Sequence, residues 1–235
     1  IDGISPEDLS FLSENVDRLS PEMRSSLHLL LRQRQTGCRT NHWMNRVRPH
    51  LHPKQKMFLS LDHREVMFGG AAGGAKSDSL LLSMMQYLDI PGYCSIIFRR
   101  TFKDLSGAGS IMDRAKSWFA PLEDEGVKWS ASDNSFYFPT GEGRQPSRFA
   151  FAYLQHDDDK RNYQGWELNA CAFDELTQHP RESYSYLFSR LRRLKGSGIP
   201  VRMRSATNPG GKFGDWVREE FIPDEYLALA DDPDR

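Results

Sequence analysis

The chain has 235 residues, with 31 Lys+Arg against 32 Asp+Glu and a formal net charge of −1. That length admits one large α/β domain, or one domain with a small appendage, and the balanced charge excludes any argument about partners from overall charge. Cys38, Cys94 and Cys171 are scattered, with no C-x-x-C pair, which argues against a disulfide framework and for a reducing compartment; no signal peptide and no bilayer-spanning apolar run is read.

Residues 1–48 read as a helical arm. Ser5-Pro6-Glu7-Asp8 and Ser20-Pro21-Glu22 each offer Ser as cap and Pro at the first helical position, and Leu27, Leu30 and Leu31 share a face. Pro49 and Pro53 bracket a break before a helix over 54–61. Residues 65–68 are a short apolar run, followed by a glycine-rich loop and a helix over 78–88. On that helix Leu80, Leu81, Met84, Met85 and Leu88 mark one face. Pro91-Gly92 is a turn, 94–98 a buried strand ending in Arg99-Arg100, and 111–119 a helix. Two strands follow over 128–138 and 148–154, with Phe136, Phe138, Phe149 and Phe151 alternating at period two. Joined through 139–143, they read as a hairpin-like insertion. Residues 168–173 predict a second buried strand, 182–194 a helix and 201–206 a third strand. Strands alternating with helices imply a mainly parallel sheet, in which ligands lie beyond the C-terminal strand ends.

Gly70, Lys76-Ser77 and the pattern between them fit the phosphate-loop motif G-x-x-x-x-G-K-[ST], with Ala75 where the second glycine should stand. Residues with little or no side chain let backbone N–H groups close around phosphates; the lysine reaches the terminal phosphates and the hydroxyl takes a place on Mg2+. The expected nucleotide contacts are Gly70, Ala71, Ala72, Gly73, Gly74, Ala75, Lys76 and Ser77, with Asp78 following. A Cβ at position 75 costs roughly 1–2 kcal/mol if that position needs φ > 0. Gln55, just after Pro53, is a candidate adenine reader through paired donor and acceptor, or an exposed residue at a helix start.

The strand over 168–173 delivers Asp174-Glu175 to the sheet edge. Asp174 is the expected partner of Ser77 in holding Mg2+, and Glu175 the expected general base for water. Thr207 and Asn208, at the third strand end, are candidate γ-phosphate sensors. Cys171 reads as a core residue. Asp157-Asp158-Asp159 reads as a solvated loop, His50 and His52 as surface histidines, and Trp118, Trp129, Trp166 and Trp216 as packing. From Arg181 to Arg218 nine basic residues face two acids, a segment that would suit phosphates or a solvated surface equally.

Taken together, these residues resemble the ATPase domain of phage terminase large subunits. The resemblance runs through residues 68–77, then Phe98-Arg99-Arg100-Thr101-Phe102-Lys103-Asp104-Leu105 and Tyr163-Gln164-Gly165. It continues through Phe173-Asp174-Glu175-Leu176-Thr177, residues 186–193 and Ala206-Thr207-Asn208-Pro209-Gly210-Gly211. It implies an additional-strand P-loop α/β fold, ATP hydrolysis with Mg2+, and a ring that moves double-stranded viral DNA into a procapsid. It further implies the viral portal and a small terminase subunit as partners, no membrane, and the host cytoplasm as location. Many members carry an arginine where Gln164 stands, acting on a neighbour's ATP. Arg161 is the expected substitute, with Arg99, Arg100, Arg190 and Arg193 as alternatives. On this reading 1–48 is an arm, 49–223 the ATPase core and 224–235 a linker toward a nuclease domain, with Asp231, Asp232 and Asp234 in a solvated tail. The competing readings are a helicase-like ATPase and a nucleotide-binding structural module.

Overall fold

The computed structural model describes residues 38–48, 50–70 and 75–224. The expected helices of residues 1–37, the loop residues Ala71, Ala72, Gly73 and Gly74, and the acidic tail lie outside the described residues. In chain order the elements are α1 (His42–Val47), α2 (Pro53–Ser60), β1 (Glu65–Gly69), α3 (Lys76–Met85), β2 (Cys94–Arg99), α4 (Phe102–Ser106) and α5 (Ile111–Phe119). Then come β3 (Lys128–Ser130), β4 (Ser135–Phe138), β5 (Ser147–Tyr153), β6 (Ala170–Asp174), α6 (Arg181–Phe188), β7 (Arg202–Thr207) and α7 (Gly214–Phe221).

All seven strands form one sheet in the order β1-β7-β6-β2-β5-β4-β3. The first five are parallel, and β4 and β3 extend the edge antiparallel. β7, last in the chain, sits between β1 and β6. This inserted strand is the additional strand of the expected P-loop class, so the fold is the α/β architecture that the sequence resemblance implied.

The sheet is covered on both faces because its strands alternate. On β6, Ala170 and Ala172 face one core, with Leu80, Met84, Phe119 and Phe149. Cys171 and Phe173 face the other, with Ile96, Phe98, Leu176, Leu187 and Met203. Cys171 is fully buried, and burial pushes its thiol well up, as a core residue requires. α3 is buried more completely than one apolar face would need: Leu82 and Ser83 are covered as well as Leu80 and Leu81. The sheet lies on one side of α3, and α1, α2 and α5 pack around the rest.

Three local expectations need correction. The stretch 128–138 is two strands, because the turn before Ser135 reverses the chain: Asn134 adopts φ 47° and the Tyr137 hydroxyl donates to Asp133 at 2.6 Å. β5 is no insertion but a member of the main sheet, parallel to β2, so the hairpin extension is β3–β4. The helix expected over 182–194 ends at Phe188, since Arg192 N donates to Leu168 O at 2.7 Å and Leu191 bridges to Leu168. Two helices lacked a sequence-level expectation: α4, whose N-cap Thr101 accepts from Asp104 N, and α7.

Two arginines expected to contribute to a phosphate-facing segment are structural instead. Arg204 is fully buried in β7 and donates to Leu61 O (2.8 Å) and His63 O (3.0 Å), closing the turn that leads into β1. Burial pushes its guanidinium down to about 10, so it stays charged at neutral pH. Arg202 donates to Gln86 at 2.6 Å.

His179, after β6, is fully buried with its ring against Phe173 and neither ring nitrogen hydrogen-bonded. Burial, reinforced by Arg100 and Arg99, pushes its pKa down to about 3. An unfolded histidine titrates near 6.5, so between those values the unfolded chain binds a proton that the folded chain refuses. The stability this neutral ring permits is present above pH 6.5 and is lost as pH falls toward 3. Urea unfolding between pH 5.5 and 4 should show His179→Leu losing stability less steeply than wild type, by about 1.4 kcal/mol per pH unit. Equal slopes would show that the ring does not carry this sensitivity.

Candidate active site

Register aligns the candidate groups. Gly69 pairs with Thr207 across β1 and β7, and Asp174 pairs with Ala206 across β6 and β7. Phe98 pairs with Phe173 across β2 and β6, which levels Arg99 with Asp174. The loop after β1, the acids ending β6, the segment after β7 and the arginine ending β2 therefore meet at one sheet edge, the C-terminal ends of parallel strands.

Ala75 stands in the left-handed region (φ 56°, ψ 24°), the conformation that the motif's glycine serves. Its carbonyl accepts from Ser79 N at 3.0 Å and Ser79 Oγ at 2.9 Å, so α3 starts immediately at Lys76. Lys76 is buried, and its Nζ donates to Gly70 O at 2.9 Å, across the mouth of the loop. Ser77 Oγ reaches Asp174 Oδ1 at 3.3 Å and Oδ2 at 3.5 Å, a contact between residues 97 positions apart.

Asp174 is 3% exposed. Arg99 Nε lies 3.2 Å from its Oδ2. Burial raises the Asp174 pKa; Arg99 opposes that rise and the neighbouring Glu175 adds to it. A hydroxyl and a carboxylate supply hard oxygen ligands, which suits Mg2+ held jointly with substrate phosphates. No group of three His, Cys, Asp or Glu side chains among the described residues gathers to make a protein-only metal cage.

Glu175 also adopts a left-handed conformation (φ 58°, ψ 58°), and its Oε1 accepts from Asn208 Nδ2 at 3.1 Å. Thr207 Oγ1 lies 2.8 Å from Thr177 Oγ1 and accepts from Thr177 N at 3.3 Å. Gly211, at φ 104°, passes so near that a Cβ would fall 2.6 Å from Thr177 Oγ1. Phe213 N donates to Thr177 O at 2.9 Å. The segments after β6 and β7 are thus stitched together. Asn208 holds Glu175, and Thr207 fastens the two segments.

The other expected site residues have the following surroundings. Asp78 pairs with Arg48 Nη2 (2.9 Å) and Arg114 Nη1 (2.5 Å), tying α3 to the end of α1 and to α5. Gln55 is buried in the first turn of α2, and its Oε1 accepts from His52 N at 3.1 Å, so the acceptor half of its amide serves the helix cap. Arg161 is 72% exposed, lies on a 3-10 turn (Asp157–Tyr163) and faces Asp158 at 3.4 Å. Among the alternative arginines, Arg100 donates to Leu154 O and Arg190 lies over the Tyr186 ring. Arg193 lines the far end of the sheet. Arg99, the remaining alternative, faces its own chain's Asp174. Its level at the end of β2, beside the end of β6, would have revealed this had the strand order been known.

No family model and no curated protein matches the chain. Solved structures do. The large terminase of a thermophilic bacteriophage is 19% identical, aligned over 72% of this chain and 39% of that one, with a TM-score of 0.50. The large terminase ATPase domain of Thermus phage P74-26 is 16% identical over 80% of this chain and 96% of that one, TM-score 0.50. The HK97 bacteriophage large terminase is 12% identical over 77% and 38%, TM-score 0.52. The chain therefore spans well under half of two large terminases and nearly the whole of an isolated ATPase domain. At these identities the likeness is one of fold.

The strained residue at the loop gives a direct test. The chain itself holds Ala75 at positive φ, so the strain belongs to the fold. Ala75→Gly should raise unfolding stability by up to about 1 kcal/mol, relief of roughly 1–2 kcal/mol being partly offset by glycine's greater backbone entropy. A loss of stability by urea titration would contradict the left-handed assignment.

Proposed function

We propose that this chain is an ATP-hydrolysing motor domain of the terminase type, which drives double-stranded viral DNA into a procapsid. The observation that carries the reading is the meeting of Ser77 with buried Asp174 at the edge where β1, β7 and β6 end together. The likeness of fold to large terminase ATPase domains supports it.

In this reading backbone N–H groups of residues 70–75 take the phosphates, at the start of α3. Lys76 exchanges the Gly70 carbonyl for terminal phosphate oxygens. Ser77 and Asp174 would hold Mg2+, which would offset phosphate charge. Asn208 orients the Glu175 carboxylate, and Glu175 accepts the proton of the attacking water. Hydrolysis releases the γ-phosphate from in front of Glu175, and the Asn208 and Thr207 contacts carry that change into the segment after β7. Arg161, exposed and outside its own chain's site, is the arginine available to a neighbouring subunit's ATP. A ring of copies around duplex DNA, docked on the viral portal and loaded by a small terminase subunit, completes the proposal.

Two measurements test this. Glu175→Gln should retain nucleotide affinity while its turnover falls about 10²–10⁴-fold, the usual share of a general base; Lys76→Ala should lose both binding and turnover. Ordinary turnover by Glu175→Gln would remove that residue from the chemistry. Specific ATPase activity should rise steeply with protein concentration for wild type and stay flat for Arg161→Ala, since an arginine in trans contributes about 10³–10⁵-fold. A concentration-dependent rise that survives in Arg161→Ala would assign the role to another residue.

A further inference from the structure

A cavity of about 790 Å3 lies away from the candidate active site. It opens at the opposite sheet edge, where β2 and β5 begin and where the loop between α6 and β7 passes. Its cations are Arg148, Arg192, Arg193 and Lys195, and its only acid is Glu167. Trp166 supplies an aromatic wall, with the Arg148 guanidinium 4.0 Å from its ring centroid.

Apart from Arg218, exposed on α7, the structure sorts the nine basic residues of 181–218 into two kinds. Arg181 pairs with Glu220, Arg190 lies over Tyr186, Lys212 lies over Phe213, and Arg202 and Arg204 are buried inside the sheet. Arg192, Arg193 and Lys195 have no acidic partner within ion-pair distance among the described residues, and all three line the cavity. The Arg192 guanidinium is oriented by Ser189 O (2.6 Å) and Leu191 O (3.0 Å), which leaves its charge uncompensated. Asn169 fixes the loop to the sheet edge, donating to Arg192 O at 3.0 Å and accepting from Cys94 N at 2.8 Å. Like charges held together on an anchored loop repel one another, and a polyanion relieves that repulsion.

We infer that this cavity takes the phosphodiester backbone of duplex nucleic acid. Successive phosphates on one strand lie about 3.4 Å apart along the axis, so two or three of them match three adjacent cations on one short loop. The inference deepens the motor reading and rests on it. The loop also lies on the covalent path between the two contacting residues of the active site: Glu175 leads through α6 to Arg192–Lys195, and β7 returns to Asn208. A backbone held there is gripped by the same segment that moves when the Glu175–Asn208 contact changes, and at the other end of the sheet from the nucleotide.

The test is binding of a fluorescent, arbitrary-sequence DNA duplex by the full chain across 50–300 mM salt. Wild type is compared with the triple variant Arg192→Ala, Arg193→Ala, Lys195→Ala and with a control variant, Lys54→Ala and Lys56→Ala, on α2. The proposal expects the slope of log affinity against log salt to shrink by about 2–3 in the triple variant only, at about 0.9 per phosphate contact. Unchanged affinity of the triple variant for a fluorescent ATP analogue would show that its fold is intact. A wild type that binds duplex with a slope the triple variant shares overturns this proposal alone. A slope reduced equally in the control overturns it too, as does a triple variant that loses binding to polyglutamate but not to duplex. A wild type that binds no duplex overturns the motor reading and the proposal with it.

Discussion

A carboxylate is buried where three parts of the chain meet, and the surrounding structure is organised by that fact. Asp174 is withdrawn from water at the end of β6, and an ionised group there is costly unless cations and donors converge on it. Ser77 comes from the start of α3 and Arg99 from the end of β2. For both to arrive, β1 must stand two places from β6, β2 must lie directly beside it, and β7 must fill the gap. The strand order, the entry of α3 and the burial of its every face are consequences of one set of neighbours. Arg99 adds a constraint: the carboxylate that Ser77 reaches is shared with an arginine of the same chain.

Two non-glycine residues of this edge sit in left-handed conformations, Ala75 and Glu175. Each costs on the order of 1–3 kcal/mol and persists only where neighbours over-determine it. At Ala75 the first turn of α3 does so, through Ser79. At Glu175 the carboxylate is held by Asn208, and the following turn is held by Thr177 against Thr207 and Gly211. The strain at Glu175 is held in place by one hydrogen bond to the segment after the next strand, and loss of that bond would release it.

The legible parts of the sequence were those whose signal is local. β1, its loop and α3 could be read from an apolar run, a glycine pattern and helical spacing within 25 residues, and Asp174-Glu175 from acids ending an apolar strand. Pairing was not legible: nothing in the spacing of β7 says that it lies between β1 and β6, and only the family resemblance implied it. For the same reason the direction of Arg99 was missed, as was the burial of Arg202 and Arg204, two cations that periodic reading places on a surface. The break between β3 and β4 hid in a stretch of strand-forming aromatics, because Asp133-Asn134 is a short signal against a longer one. Gln55 shows the opposite limit: its place in sequence was read correctly as a helix start, yet its amide answers the helix cap.

Charge in this chain is divided by the sheet. One edge gathers Lys76, Asp174 and Glu175 at the ends of β1 and β6; the other gathers Arg192, Arg193 and Lys195 around a cavity, and α6 and β7 join the two. The most direct test of the account is a crystal structure of the protein with Mg2+ and a slowly hydrolysed ATP analogue. The account predicts the phosphates on residues 70–77 against Lys76 and Ser77, with Glu175 and Asn208 facing the γ-phosphate. A nucleotide seated in the basic cavity, or phosphates remote from Lys76 and Asp174, would contradict it.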